Sequence, residues 1–162
     1  MKNGAQGGAT SRILVLMDHK ENRRLLAEWL ATRYTVLPQE TDGAVDEEYD
    51  LGILDGTALE RLSDRIQARK KVEETVFLPF LLVTAEQHVA LVTRHLWKSI
   101  DEVIHSPIDK VELQARMEVL LRARRQALAL RQAGERALRQ SEERLGLLIE
   151  AGNKVNHRRP NL

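Results

Sequence analysis

The sequence predicts an α/β protein built on a five-stranded, doubly wound parallel sheet, with an extended C-terminal helix. Three observations predict it. Short apolar runs alternate with stretches of helical periodicity. The runs are apolar almost throughout, as strands buried on both faces must be. From Asp109 onward no proline occurs until Pro160, in a composition dominated by Leu, Ala, Arg, Glu and Gln that favours long helices. The most informative run is Tyr49-Asp50-Leu51-Gly52-Ile53-Leu54-Asp55. It carries the Asp55 carboxylate to the carboxyl end of a central strand, where open α/β sheets place their chemistry.

The elements follow in order. Ile13 to Met17 is a buried strand that delivers Asp18 to its end, and Asn22 to Arg33 is a helix with Leu25, Leu26, Trp29 and Leu30 on one face. Tyr34 to Leu37 is a short strand stopped by Pro38, and Thr41 to Glu48 is a weak helical stretch. Asp50 to Asp55 is the third strand, and Ala58 to Lys71 is a charged helix with Leu59, Leu62 and Ile66 inward. Phe77 to Val83 is the fourth strand, carrying Pro79 and ending in Thr84-Ala85. A helix from Glu86 to Trp97 and a weaker strand from Ile100 to Ile104 follow, and Ser106-Pro107 marks the turn before the last helix. Right-handed βαβ units favour a flavodoxin-like order of 2-1-3-4-5. That order brings Asp18 and Asp55 together at the switch point, with Thr84 and Ser106 ending the strands beyond.

Composition narrows the function classes. The chain has 162 residues, 43% of them hydrophobic, enough for about one domain with an appendage. With 25 Lys+Arg against 24 Asp+Glu, the net charge of +1 provides no global field to recruit nucleic acid or an anionic membrane. Cysteine is absent, which removes disulfide and thiolate chemistry and fits a cytoplasmic location. Residues 1–11 are Gly-rich and polar, a disordered leader without the apolar centre of a secretion signal. No apolar run reaches the ~20 residues of a membrane span. His19, His88, His95, His105 and His157 lack metal-ligand spacing, and no Gly-rich phosphate loop occurs.

In this order the motifs resemble those of the receiver domain of two-component response regulators, over Arg12 to Arg124. Ile13 to Asp18 looks like the family's first strand with its acidic pair, followed by Glu21-Asn22. Tyr49 to Asp55 looks like the phospho-acceptor strand, so the resemblance implies Asp55 as acceptor and Asp18, Asp55 and the Thr57 carbonyl as holders of Mg²⁺. Leu82 to Ala85 is similar to the switch segment, with Thr84 as the phosphate-contacting hydroxyl. Ile104-His105-Ser106-Pro107-Ile108 looks like the segment that carries Lys-Pro, a bond that is cis in the family. Partners implied are a histidine kinase or phosphotransfer protein and an effector domain in cis or in trans. No catalytic residue of an enzyme is implied.

Four positions depart from the pattern. Met17 replaces one acid, Ser106 the lysine, Val103 the switch aromatic and Leu59 a proline. A carboxylate attacks a phosphoryl group only when the charge on the equatorial oxygens is neutralised. A thioether is a poor Mg²⁺ ligand, and a serine hydroxyl neither reaches a phosphoryl oxygen as lysine does nor brings positive charge. The sequence therefore predicts weak Mg²⁺ binding and a degenerate acceptor site. Two structural readings stay beside the functional one: Asp55 as N-cap of the following helix, and Asp18 as cap of the first. A small α/β hydrolase using Asp18 and Asp55 is the remote alternative, with nothing nucleophilic to support it.

The last helix is longer than a receiver needs. One heptad track runs through Leu113, Met117, Leu120, Arg124, Ala127, Arg131, Gly134, Leu138, Ser141, Leu145 and Leu148. A neighbouring track through Leu120, Ala123, Ala127, Leu130, Gly134, Ala137 and Ser141 is smaller and more apolar, so the seam shifts between them. A single helix buries neither, and the pattern favours a parallel homodimer. Residues 125–152 are thus a coiled-coil linker, and 153–162 a flexible tail. Ala137 to Leu145 looks like the helix preceding PAS sensor domains, so the chain reads as a piece of a larger kinase or cyclase, or as a protein that kept its linker. The arginines at 122, 124, 125, 131, 136 and 139 read as a solvated face, diluted by Glu135, Glu142 and Glu143.

Overall fold

The computed structural model describes residues 10–37, 41–73, 76–85 and 98–156. The expected leader up to residue 9, the helix of Glu86 to Trp97 and the last six residues lie outside them. Strands β1 (Arg12–Leu16), β2 (Thr35–Leu37), β3 (Leu51–Asp55), β4 (Phe80–Ala85) and β5 (Glu102–Ser106) pair in parallel in the order 2-1-3-4-5. Helices α1 (Lys20–Ala31), α2 (Gly56–Val72) and α3 (Lys110–Asn156) surround the sheet, with a 3-10 turn at Asp42–Asp46. Among the described residues no helix is long and apolar enough to cross a membrane.

Alternation along the strands builds two cores. Leu14, Leu16, Leu54 and Leu82 face Leu59, Leu62 and Ile66 of α2, while Ile13, Val15, Ile53, Leu81 and Val83 face α1 and the first three turns of α3. Each fully buried Leu, Ile, Val or Met contributes about 1.5–3 kcal/mol, so the continuous apolar strands dominate stability. Gly52 lies where β3 meets Phe80 of β4, and a Cβ there would stand 2.5 Å from two ring carbons. The ring packs edge-on to Tyr49, at 6.0 Å between centroids and 81°. The Tyr49 hydroxyl donates to the Val45 carbonyl at 3.0 Å.

Several boundaries move for physical reasons. β4 starts at Phe80 rather than Phe77, because Pro79 has no N–H for the ladder; its carbonyl still accepts from Gly52 N–H at 3.1 Å. β5 starts at Glu102, two residues after the expected Ile100. Ile100 is buried, but pairing enters through Asp101, whose N–H donates to the Phe80 carbonyl at 2.9 Å and whose carboxylate accepts from Phe80 N–H at 2.8 Å. The stretch after Thr41 forms only a 3-10 turn. α3 runs through 153–156, which the polar composition assigned to a tail; nothing between Gly152 and Asn156 breaks a helix.

Arg124 corrects the reading of a uniformly solvated arginine face. It is 5% exposed, and donates to Glu73 at 3.1 Å and to the Phe77 carbonyl at 3.2 Å. It follows Leu113, Met117 and Leu120 on the heptad track, which is the face α3 turns to the sheet.

Two consequences are measurable. Gly52→Ala should cost about 1–3 kcal/mol in urea unfolding, because the Phe80 ring must move to admit a methyl group. Burial pushes the Tyr49 phenol well up, and burial with a 2.7 Å bond to Glu118 pushes Tyr34 up to about 12. Both folded-state values exceed the unfolded value of about 10, so their stabilisation is complete below pH ~10 and is lost as pH rises through the folded values. Urea melts should show stability falling above pH ~10, with a shallower fall in Tyr49→Phe.

Candidate functional site

The carboxyl edge of the sheet opens into a crevice of ≈ 440 Å³ whose walls include Met17, Asp55, Thr57, Thr84 and Ser106. Five of the expected residues therefore share one cavity. Parallel pairing sets them level: β3 delivers Asp55 beside Val83, and β4 delivers Thr84 and Ala85 beside His105 and Ser106. Val103 stands apart, paired with Leu82 and packed half-buried against the α2-side core. Leu59 is buried on the inner face of α2.

Asp55 ends β3 and caps α2. Its Oδ1 accepts from Ala58 N–H at 2.9 Å, and its Oδ2 accepts from Asp18 N–H at 2.9 Å and His19 N–H at 3.4 Å. The capping role and the central position thus coexist, since the strand turns directly into the helix with extended backbone at Asp55. Asp18 does not cap α1; His19 does, its Nδ1 accepting from Asn22 N–H at 3.3 Å. The Asp18 carboxylate turns instead to Arg61 of α2, at 2.6 Å, and the same guanidinium bonds Asp42 of the 3-10 turn. The two carboxylates, Asp42 foremost, raise the Arg61 pKa above its usual value and hold the group charged. Arg23 of α1 donates to the Met17 carbonyl at 2.8 Å, while the Met17 side chain is buried in the core between α1 and α3.

Thr84 is 7% exposed, and its hydroxyl donates to the Ala85 carbonyl in a long bond of 3.4 Å. Ser106 is exposed at the end of β5, and its peptide bond to Pro107 is cis, as the resemblance implied.

These donors do not fit Mg²⁺. That ion requires near-octahedral oxygen ligands, yet both Asp55 oxygens accept backbone N–H groups, Asp18 is paired with Arg61, and position 17 offers a buried thioether. Thr57 lies in the first turn of α2. Among the described residues no group of three His, Asp or Glu is placed to hold a metal ion.

Sequence reasoning missed Arg61, Asp42 and Arg23. The available signal was the position of Arg61 six residues into the helix that Asp55 opens, where α2 passes the ends of β1 and of the 3-10 turn. Replacing Asp55 tests the geometry. Asp55→Ala should cost about 1–2 kcal/mol through the lost cap, and Asp55→Asn should also destabilise, because its single amide oxygen can accept from Ala58 N–H or from Asp18 N–H but not from both, and its NH2 then faces a donor; chemical denaturation of both variants reads the cost.

No protein-family model matches this chain, and no curated protein matches it by sequence. Solved structures do match it by shape. An adenylate cyclase from Rhodopirellula baltica aligns over 76% of this chain and 96% of its own, at 13% identity and a TM-score of 0.61. The C-terminal part of E. coli RcsC, containing a linker region and phosphoreceiver domain, aligns over 78% of this chain and 52% of its own, at 20% identity and a TM-score of 0.58. A putative response regulator from Chloroflexus aurantiacus aligns over 69% of this chain and 98% of its own, at 19% identity and a TM-score of 0.56. With the sheet order, the cis peptide and the crevice already in place, the chain has the fold of the response regulator receiver domains.

Proposed function

We propose that the chain is a receiver-type signal transduction module of a cytoplasmic two-component phosphorelay, non-enzymatic, acting through self-association of its C-terminal helix rather than through a phosphoryl switch. One observation carries this reading: α3 continues about thirty residues beyond the body with an apolar face that is exposed among the described residues; beside it, both oxygens of the carboxylate at the acceptor position accept backbone N–H groups. Leu130, Leu138, Leu145, Leu148 and Val155 are 59–74% exposed. A single seam joins them through Ala123, Ala127, Leu130, Gly134, Leu138, Ser141, Leu145, Leu148, Gly152 and Val155. Its steps alternate three and four except for two successive fours around Gly134, a stutter that unwinds a coiled coil locally. The two heptad tracks of the sequence are thus one seam that changes phase. Upstream partners would be a histidine kinase or phosphotransfer protein, and the output an effector in cis or in trans.

A second reading keeps Asp55 as a working phospho-acceptor. The shared cavity of Asp55, Thr84 and Ser106 favours it; the absence of lysine charge at Ser106 and of the acid at Met17 weighs against it.

Light scattering and mass spectrometry test the proposal together. The chain should be a dimer, Leu145→Glu with Leu148→Glu should raise its Kd at least tenfold, about 1.4 kcal/mol or more, and Ala127→Cys should form a disulfide dimer if the pair is parallel. Acetyl phosphate with Mg²⁺ should leave the mass unchanged; addition of a phosphoryl group that is lost in Asp55→Ala would favour the second reading.

A further inference from the structure

Asp18, whose N–H donates to the crevice residue Asp55, carries its own carboxylate away from the crevice lining to Arg61, and both partners of Arg61 are acidic side chains from other elements. Asp18 follows β1, Asp42 opens the 3-10 turn, and Arg61 reaches both from the second turn of α2. Nothing in the local sequence forces this. The carboxylates lie 43 and 19 residues from Arg61 in the chain, so each bond is a tertiary choice. A guanidinium has the planar fork that suits two carboxylates at once, and its charge persists at any physiological pH. One guanidinium against two carboxylates leaves about one negative charge. A divalent cation drawing on Asp18 would have to displace that fork, and the described residues lining the crevice include Asp55 and Glu60 but no lysine or arginine.

We infer that Arg61 is a built-in counter-ion beside this crevice, engaging the Asp18 carboxylate that a divalent metal would need. It holds the loop after β1, the 3-10 turn and α2 in one arrangement. The crevice therefore does not respond to Mg²⁺, and the Asp18 N–H stays aimed at Asp55 whatever the metal concentration. The inference is separate from the dimerisation proposal, because it concerns what fills the acidic pocket and not what covers α3.

Manganese provides a direct probe, since the free ion has an electron paramagnetic resonance signal that binding removes. The wild-type chain and Met17→Asp should leave the signal of free Mn²⁺ essentially unchanged. Met17→Asp with Arg61→Gln should bind one Mn²⁺ at least tenfold more tightly than either. Equal affinity in wild type and double variant would overturn the inference, as would equal affinity in Met17→Asp and the double variant, or a folded double variant that does not bind. Should circular dichroism show the double variant unfolded, nuclear magnetic resonance of the wild-type Arg61 side chain decides. A guanidinium signal distinct from free arginine and unmoved by Mg²⁺ supports the assignment; a free-arginine signal, or a saturable shift with Mg²⁺, contradicts it.

Discussion

The carboxylate of Asp55 joins two elements that the chain delivers separately. Oδ1 receives the N–H of Ala58, the third residue of α2, and Oδ2 receives the N–H of the loop that leaves β1. Both helix entry and loop direction are set there, at the boundary between β3 and α2, with no connecting residue between strand and helix. A group so placed positions its neighbours whether or not it also reacts. Reaction asks more: positive charge opposite the transferred oxygens, which receivers obtain from metal and lysine by resemblance, and which this crevice lacks at Met17 and Ser106. The framework and the chemistry of such a pocket are therefore separable, and this chain retains the framework.

At the other end of the sheet a second interaction fixes where α3 departs. Arg124 is buried against Glu73, at the end of the helix that Asp55 begins, and against the Phe77 carbonyl that leads into β4. Removing one partner of a buried pair typically costs about 3–5 kcal/mol because it strands a buried charge, whereas losing an exposed ion pair along the helix costs about 0–1 kcal/mol. α2 thus spans the distance from the crevice to the root of α3. Past Leu128 the helix is exposed among the described residues, and its apolar seam must meet another helix or remain in water.

The strand order, the placement of Asp55, Thr84 and Ser106 and the length of the last helix were legible in the sequence, because each follows from a local pattern: buried apolar runs, a turn residue at a strand end, a stretch free of proline. What sequence reasoning lost were tertiary choices. The pairing of Arg61 with Asp18 and Asp42 joins residues far apart in the chain, and polar residues on a helix carry no mark of which partner they will meet. Asp101 entering β5 ahead of the apolar residues moved a boundary that hydrophobicity alone put at Ile100. Arg124 was half legible: its place on the buried heptad track pointed inward, while its charge pointed outward, and the Glu73 carboxylate decides between them.

The central claim is that the crevice is a scaffold of fixed bonds rather than a phosphoryl-binding site. Amide chemical shifts of Asp18, Asp55, Thr84 and Ser106, followed while beryllofluoride and Mg²⁺ are added as an acyl-phosphate mimic, test it most directly. The account predicts shifts that stay in place at saturating concentrations. A saturable displacement of those four amides, abolished in Asp55→Ala, would contradict it.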